Sequence, residues 1–161
     1  MRVLGVDPGT SVTGYGVIET GNGGPPANRL GRLIECGVIR FAGRSPVPER
    51  LRGLHDRITE LISRHHPGAL ALENAFYHKN VHTTLVLGEA RGVILLAAEQ
   101  AGLAIAEYPP ATVKKTVAGA GAAPKAQIGR VVARLLRLRE VPRPADAADG
   151  VAVALTHILR T

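Results

Sequence analysis

Four acidic residues of this sequence, Asp7, Glu73, Asp146 and Asp149, have positions that suggest a shared metal site. Carboxylates that gather at one point repel one another unless a hard cation holds them, and Mg²⁺ suits a few such oxygens. Two such ions about 4 Å apart activate a water and stabilise the leaving oxygen when a phosphodiester is hydrolysed. This chemistry needs no Cys, His or Ser nucleophile, and the sequence contains no obvious catalytic triad.

Two of these acids follow short apolar runs that are typical of buried strands. Residues 2–6 end at Asp7, and residues 69–72 lead directly into Glu73. In open α/β sheets, ligands bind beyond the carboxyl ends of the strands. If the two strands are neighbours, we expect both acids at one edge of the sheet.

The other two acids stand three residues apart near the start of a predicted helix at residues 145–159. That spacing places Asp146 and Asp149 on one helix face, about one turn apart. The two aspartates border the apolar stripe that this helix is expected to bury, so they are predicted to turn towards the sheet edge. The stripe comprises Ala147, Val151, Ala154, Leu155 and Ile158.

Each acid also has a simpler explanation. Asp7 could belong to a turn, and Asp146 could cap a helix. Asp149 could complement the helix dipole, and Glu73 could pair with an arginine. These explanations do not account for four acids from three separate segments that are predicted to meet at one point.

The other apolar patterns predict a single α/β domain over residues 1–161. Strands at residues 13–18 and 32–41 follow the first strand without an intervening helix, which is typical of an antiparallel meander. The resulting order βββαβαβαα indicates a mixed sheet flanked by helices. Its later elements are a helix after Ser45-Pro46, the strand at 69–72, a helix at 81–100, a strand at 104–107 and helices at 125–136 and 145–159.

Positive charge is concentrated in the last third of the chain. The net charge is +7, and residues 111–161 contain nine Lys or Arg against three acidic residues. A face for a polyanion explains this distribution, and so does solubility or an arginine-rich codon usage. Three lysines on either side of a Gly-rich joint are candidates for phosphate contacts: Lys114, Lys115 and Lys125.

An ordered set of motifs across the chain resembles the RuvC family of Holliday junction resolvases. Three departures from the family pattern leave the four acids in place: Asn74 where Gln or Glu is common, Gly150 where Ala or another small residue is usual, and an enlarged Gly-Pro loop at residues 21–28. The motifs are Asp7-Pro8-Gly9, Thr13-Gly14-Tyr15-Gly16, Glu73-Asn74-Ala75-Phe76-Tyr77-His78-Lys79-Asn80, Leu87-Gly88-Glu89-Ala90-Arg91-Gly92, Val113-Lys114-Lys115-Thr116-Val117 and Asp146-Ala147-Ala148-Asp149-Gly150.

The resemblance implies an RNase H-like fold, whose five-stranded sheet has three antiparallel strands and then two parallel ones. It implies a homodimer that cuts four-way DNA junctions symmetrically in recombination and repair, one strand per subunit. Mg²⁺ is the implied cofactor, with two ions per site and Mn²⁺ able to substitute. The implied metal ligands are Asp7, Glu73, Asp146 and Asp149.

The resemblance also implies which residues bind DNA and protein partners. Phe76 corresponds to an aromatic residue that stacks on a base near the crossover, and the helix at residues 81–100 corresponds to the dimer element. A RuvAB branch-migration complex is an implied partner. Lys114 and Lys125 match family positions associated with DNA backbone contact and catalysis, and Lys79 and Lys115 are further candidates for DNA binding.

Two other protein classes fit parts of the sequence. Actin-like and sugar-kinase-like ATPases begin with a similar Asp-x-Gly-Thr motif, but they need a second lobe that 161 residues do not supply. A non-catalytic module for branched DNA would not need to group four acids. The single cysteine, and the lack of a signal-peptide pattern or an apolar run of about 18 residues, predict a cytoplasmic protein without a membrane span.

Overall fold

The computed structural model describes residues 1–21, 30–41, 43–74, 79–121 and 123–161. Within these residues, five strands form one sheet in the order β3-β2-β1-β4-β5. The first three strands pair in an antiparallel manner, and β1, β4 and β5 run parallel to one another. The strands are β1 (Arg2–Asp7), β2 (Val12–Glu19), β3 (Arg32–Arg40), β4 (Ala69–Glu73) and β5 (Ala104–Tyr108).

Five helices flank this sheet in the described part of the chain, one more than the sequence pattern predicted. The additional helix is α3, which begins directly after β5 and ends at a glycine with a φ of 77°. The predicted meander and the other four helices are confirmed. The helices are α1 (Val47–His65), α2 (Val81–Gln100), α3 (Pro110–Ala118), α4 (Lys125–Leu135) and α5 (Ala145–Arg160).

The sheet separates two hydrophobic cores because successive side chains of a strand point to opposite faces. Leu4 and Val6 of β1 pack in the core that α1 and α2 cover. Val3, from the same strand, packs in the core that α3, α4 and α5 cover. Both faces of the central strands are therefore buried, and only the ends of the strands remain available for a site.

Helix α5 lies directly on the sheet, and paired glycines allow this close approach. A Cβ atom at Gly14 in β2 would lie 1.8 Å from the backbone oxygen of Asp146. A Cβ atom at Gly150 in α5 would lie 2.5 Å from the backbone nitrogen of Tyr15. Real Cβ atoms do not approach other atoms so closely, so these glycines set the position of α5 and of the two aspartates in its first turns.

Helix α2 is the one described helix whose length and composition would allow it to cross a membrane. An 18-residue window within it has a mean hydropathy of 1.4, and 22% of that window is buried. Ala90, Ile94 and Ala97 of this helix pack in the core beside α1. The core helix of a folded domain can also have the length and composition of a membrane span. Helix α2 is therefore only weak evidence against the expectation that the chain does not span a membrane.

Candidate active site

The structure brings Asp7 and Glu73 together at one edge of the sheet. β1 and β4 are adjacent and parallel, with Val6 opposite Leu72, so the next residue of each strand is an acid. The two side chains are hydrogen-bonded to each other. They line one cavity, which opens beyond the carboxyl ends of the strands.

These two carboxyl groups are harder to ionise than ordinary carboxyl groups, because they are buried and lie near other acids. Burial raises the pKa of Asp7 well above its usual value, and the nearby charges of Glu73 and Asp149 raise it further. Burial and the charge of Asp149 also raise the pKa of Glu73, while its hydrogen bond with Asp7 opposes that rise. Repulsion among buried acids is the condition under which a divalent cation replaces protons.

The two aspartates of α5 are not equivalent. Asp149 lines the same cavity as Asp7 and Glu73, and its side chain is 12% exposed. Asp146 is 39% exposed and lies outside the lining of that cavity. The N-cap of α5 is Pro144, without a side-chain cap hydrogen bond, so the explanation of Asp146 as a helix cap is wrong.

Lys125 joins the two aspartates in this structure. Its Nζ atom lies 2.9 Å from Asp149 Oδ2 and 3.8 Å from Asp146 Oδ1. The hydrogen bond from Lys125 to Asp149 raises the pKa of the lysine, so it stays charged at neutral pH. As predicted, Lys125 lies in the first turn of its helix, α4.

The site has the chemistry of a hard-cation site but not its final geometry. The described residues contain no group of three or more His, Cys, Asp or Glu side chains arranged to hold a metal ion. The cavity nevertheless gathers three carboxylates, which are the oxygen ligands that Mg²⁺ prefers. In this arrangement the ammonium group of Lys125 offsets part of their negative charge.

The predicted DNA-binding residues lie in different places. Lys114 lines the carboxylate cavity, whereas its neighbour Lys115 lines a separate groove with Arg160 and two threonines. Lys79 is exposed just before α2. Phe76 lies outside the described residues, as does most of the Gly-Pro loop at 21–28.

A second cavity beside Glu73 was missed in the sequence analysis. Pro8, Asn74 and Arg91 contribute to its lining. Arg91 donates two hydrogen bonds of 2.7 Å to Glu107, which hold its guanidinium group in place. The signal for this pair was an arginine within a largely apolar helix, but its partner lies on β5 and no local pattern reveals it.

A family model and curated relatives match almost the whole chain. The family model described as crossover junction endodeoxyribonuclease RuvC matches residues 3–157. The chain belongs to the RuvC family. A RuvC from Pelotomaculum thermopropionicum is 47% identical over 157 residues, which are 98% of this chain and 92% of that protein. A RuvC from Halorhodospira halophila is 47% identical over 97% of this chain and 89% of that protein.

Solved structures give the same family and fold. The Thermus thermophilus RuvC structure matches with a TM-score of 0.87 and 35% identity, over 99% of this chain and 94% of that one. The T. thermophilus RuvC in complex with a Holliday junction substrate matches with a TM-score of 0.89 over the same shares. The predicted RNase H-like fold with its mixed five-stranded sheet is therefore confirmed.

Proposed function

We propose that this RuvC protein is a metal-dependent endonuclease that resolves four-way DNA junctions during homologous recombination and DNA repair. The observation that carries the proposal is one cavity at the sheet edge, lined by Asp7, Glu73 and Asp149 together with Lys114 and Lys125. Acidic side chains that can bind a cation therefore lie beside basic side chains that can bind a phosphate. The names of the relatives and the junction complex of T. thermophilus RuvC support junction DNA as the substrate.

In this proposal the four acids hold the cofactor, which is Mg²⁺ with Mn²⁺ able to substitute, as two ions per site. When bound, such ions supply an activated water and stabilise the leaving oxygen of the phosphodiester. Asp7, Glu73 and Asp149 converge from two strands and one helix, and Asp146 completes the set from the edge of the cavity. The rigid strand ends and the close contact of α5 with the sheet keep these oxygens in place.

The basic residues orient the DNA in this proposal. Lys114 reaches the phosphate that is cut, because it lines the same cavity as the acids. Lys79 and Lys115 hold the backbone on either side, and Phe76 stacks on a base at the crossover. These contacts position the strand without reading its sequence, apart from any preference that the stacked base introduces.

We expect two copies of the chain to act together, because a junction needs two symmetric cuts. One face of α2 exposes large apolar side chains, with Val81 74%, Leu85 60% and Leu96 53% exposed. A second copy that packs on this stripe would bury it. The protein is proposed to work in the cytoplasm as such a dimer and to receive junctions from a RuvAB complex.

Replacing Leu96 with glutamate should convert the dimer into a monomer, because a carboxylate would then be buried against apolar side chains. Sedimentation equilibrium should show the mass fall from about twice 16.9 kDa to that of one chain. Leu159→Glu is the matched control, since Leu159 is 44% exposed on α5, away from the stripe. A Leu96→Glu protein that stays dimeric would place the interface elsewhere.

Replacing Lys115 with alanine should weaken junction binding through the loss of one phosphate contact. The slope of log affinity against log salt should become shallower by about 0.9, as expected for one contact fewer. Arg52→Ala is the control for lost charge, since Arg52 is 86% exposed on α1, on the other face of the sheet. An unchanged slope for Lys115→Ala would remove this lysine from the DNA interface.

The proposed substrate is tested by comparing a synthetic four-way junction with a linear duplex of the same sequence in Mg²⁺. The nuclease should nick the junction in two strands at symmetric positions and leave the duplex uncut. Tight junction binding without nicking would instead favour the non-catalytic module. Nucleotide-dependent thermal stabilisation would favour the ATPase class.

A further inference from the structure

We propose that Lys125 competes with the divalent cation for the carboxylates of α5. In the free protein its ammonium group holds Asp149 and Asp146, and it leaves them when the cation binds. This inference rests on the proposed function because it takes both aspartates as metal ligands. It gives the lysine a role in setting metal affinity, in addition to any contact with DNA.

The distances support this role. The ammonium nitrogen lies 2.9 Å from one carboxylate and 3.8 Å from the other, so it bridges two acids that stand three residues apart on one helix face. A cation that took oxygens from both acids would compete for the same carboxylates.

The other lysine of the cavity does not bridge these acids. Lys114 lines the same cavity, yet it forms no ion pair with Asp146 or Asp149 in the described structure. Burial raises the pKa of Glu73, and the charge of Lys114 acts through space to oppose that rise. The two lysines therefore allow direct competition to be separated from the general positive field of the cavity.

Lys125 is placed so that it can change partners. Its side chain is 66% exposed, whereas that of Asp149 is 12% exposed. It is the first residue of α4 and follows a segment with a glycine at each of positions 119 and 121. Asp149 lies on α5, which packs directly on the sheet, whereas the side chain of Lys125 extends into solvent, so the lysine is the partner that moves.

This exchange couples cation binding to DNA binding. A cation at the aspartates releases the ammonium group, which is then available to a DNA phosphate. A phosphate that attracts the ammonium group in turn releases Asp149 for the cation. Linkage requires this effect to be reciprocal, so each ligand should strengthen the binding of the other.

The test is calorimetric titration of MnCl₂ into the DNA-free protein. Lys125→Met keeps the length of the side chain but removes the charge, so it should bind the cation roughly threefold to fivefold more tightly than the wild type. Lys125→Arg keeps the charge and should not gain affinity. Lys114→Met removes one charge from the same cavity and should change the affinity less than Lys125→Met does.

A Lys125→Met protein with unchanged or weaker cation affinity would overturn the inference, and so would an equal gain in Lys114→Met. The proposed function would survive either result, because the wild type would still bind the cation and cut junctions. Absence of cation binding in the wild type would overturn both.

A measurement on the wild type alone avoids any folding defect of a variant. Acylation of lysine amines, followed by mass spectrometry, should modify Lys125 at least twofold faster when MnCl₂ is added. Lys79 is the internal reference because it is exposed and does not line the carboxylate cavity. Equal rates at Lys125 with and without the cation would contradict release of the ammonium group.

Discussion

Replacing Asp7 with asparagine should abolish junction cleavage, by ~10³-fold or more, while junction binding is kept. Asparagine retains the shape of the side chain but loses the negative charge that helps to hold the cation. The carboxylate of Asp7 repels the phosphates of the DNA. Because asparagine removes this repulsion, the variant should bind the junction at least as tightly as the wild type does. Cleavage under single-turnover conditions and a gel-shift titration in EDTA measure the two effects separately.

The same substitution should also stabilise the free protein at neutral pH. The pKa of Asp7 is higher in the folded protein than in the unfolded chain, so the folded state binds its proton more tightly. The free energy of unfolding therefore falls as the pH rises from the pKa of the unfolded chain through that of the folded protein. Asparagine does not titrate and should escape this loss. Urea unfolding of both proteins at pH 4 and pH 8 tests this prediction. The free energy of unfolding of Asp7→Asn should exceed that of the wild type by more at pH 8 than at pH 4.

Glu19→Gln is the control for these experiments. Glu19 lies on β2, where it pairs with Arg2 and Arg32 and takes no part in the site. It should cut junctions at the wild-type rate. If Asp7→Asn cuts as fast as this control, Asp7 is not a ligand and the site is misassigned.

Replacing Gly150 with alanine should destabilise the protein by about 3 kcal/mol, the upper end of the usual range for an overpacked core. The added Cβ atom would lie 2.5 Å from backbone atoms of Tyr15, and backbone atoms cannot move aside as a flexible side chain can. For a chain of this size the melting temperature should fall by roughly 6–12 °C. Differential scanning calorimetry measures both quantities.

Gly43→Ala is the matched control, because a Cβ atom there meets nothing within 4 Å. It should change the melting temperature little. The surviving folded fraction of Gly150→Ala should also cut more slowly, since α5 carries Asp146 and Asp149. A Gly150→Ala protein as stable as the control would mean that α5 does not lie on β2 as described.

Much of the fold was predictable because its signals are local. The segments that separate residues 2–6, 13–18 and 32–41 have turn and Gly-Pro sequence patterns and no helical pattern, and the antiparallel pairing of β1, β2 and β3 follows from that order. The amphipathic pattern after residue 125 also placed α4 correctly. The sequence predicted that Asp7 and Glu73 meet only if β1 and β4 are neighbouring strands. No local sequence pattern indicates that these two strands are neighbours.

Helix α3 escaped prediction because its composition is ambiguous. Four of its nine residues are β-branched, which lowers helix propensity. The Pro109-Pro110 pair at its start fits a loop as well as the first turn of a helix. Tertiary packing decides the outcome, because the buried Val113 and Val117 face the core that α5 also covers.

The ion pair between Lys125 and Asp149 was beyond sequence reasoning for a different reason. The two residues are 24 positions apart on separate helices, and only the packing of α4 against α5 brings them together. The sequence identified Asp149 as a candidate metal ligand and Lys125 as a candidate phosphate contact. It did not indicate that, in this structure, the lysine bridges the acids.

The central claim is that the carboxylates of this cavity cut DNA through divalent cations. The most direct measurement is cleavage of an end-labelled four-way junction in Mg²⁺ and in EDTA, with the product strands mapped at nucleotide resolution. The account predicts paired, symmetric nicks that ligase can seal in Mg²⁺, and intact strands in EDTA. Equal cutting in EDTA, or a bound junction that stays intact in Mg²⁺, would contradict it.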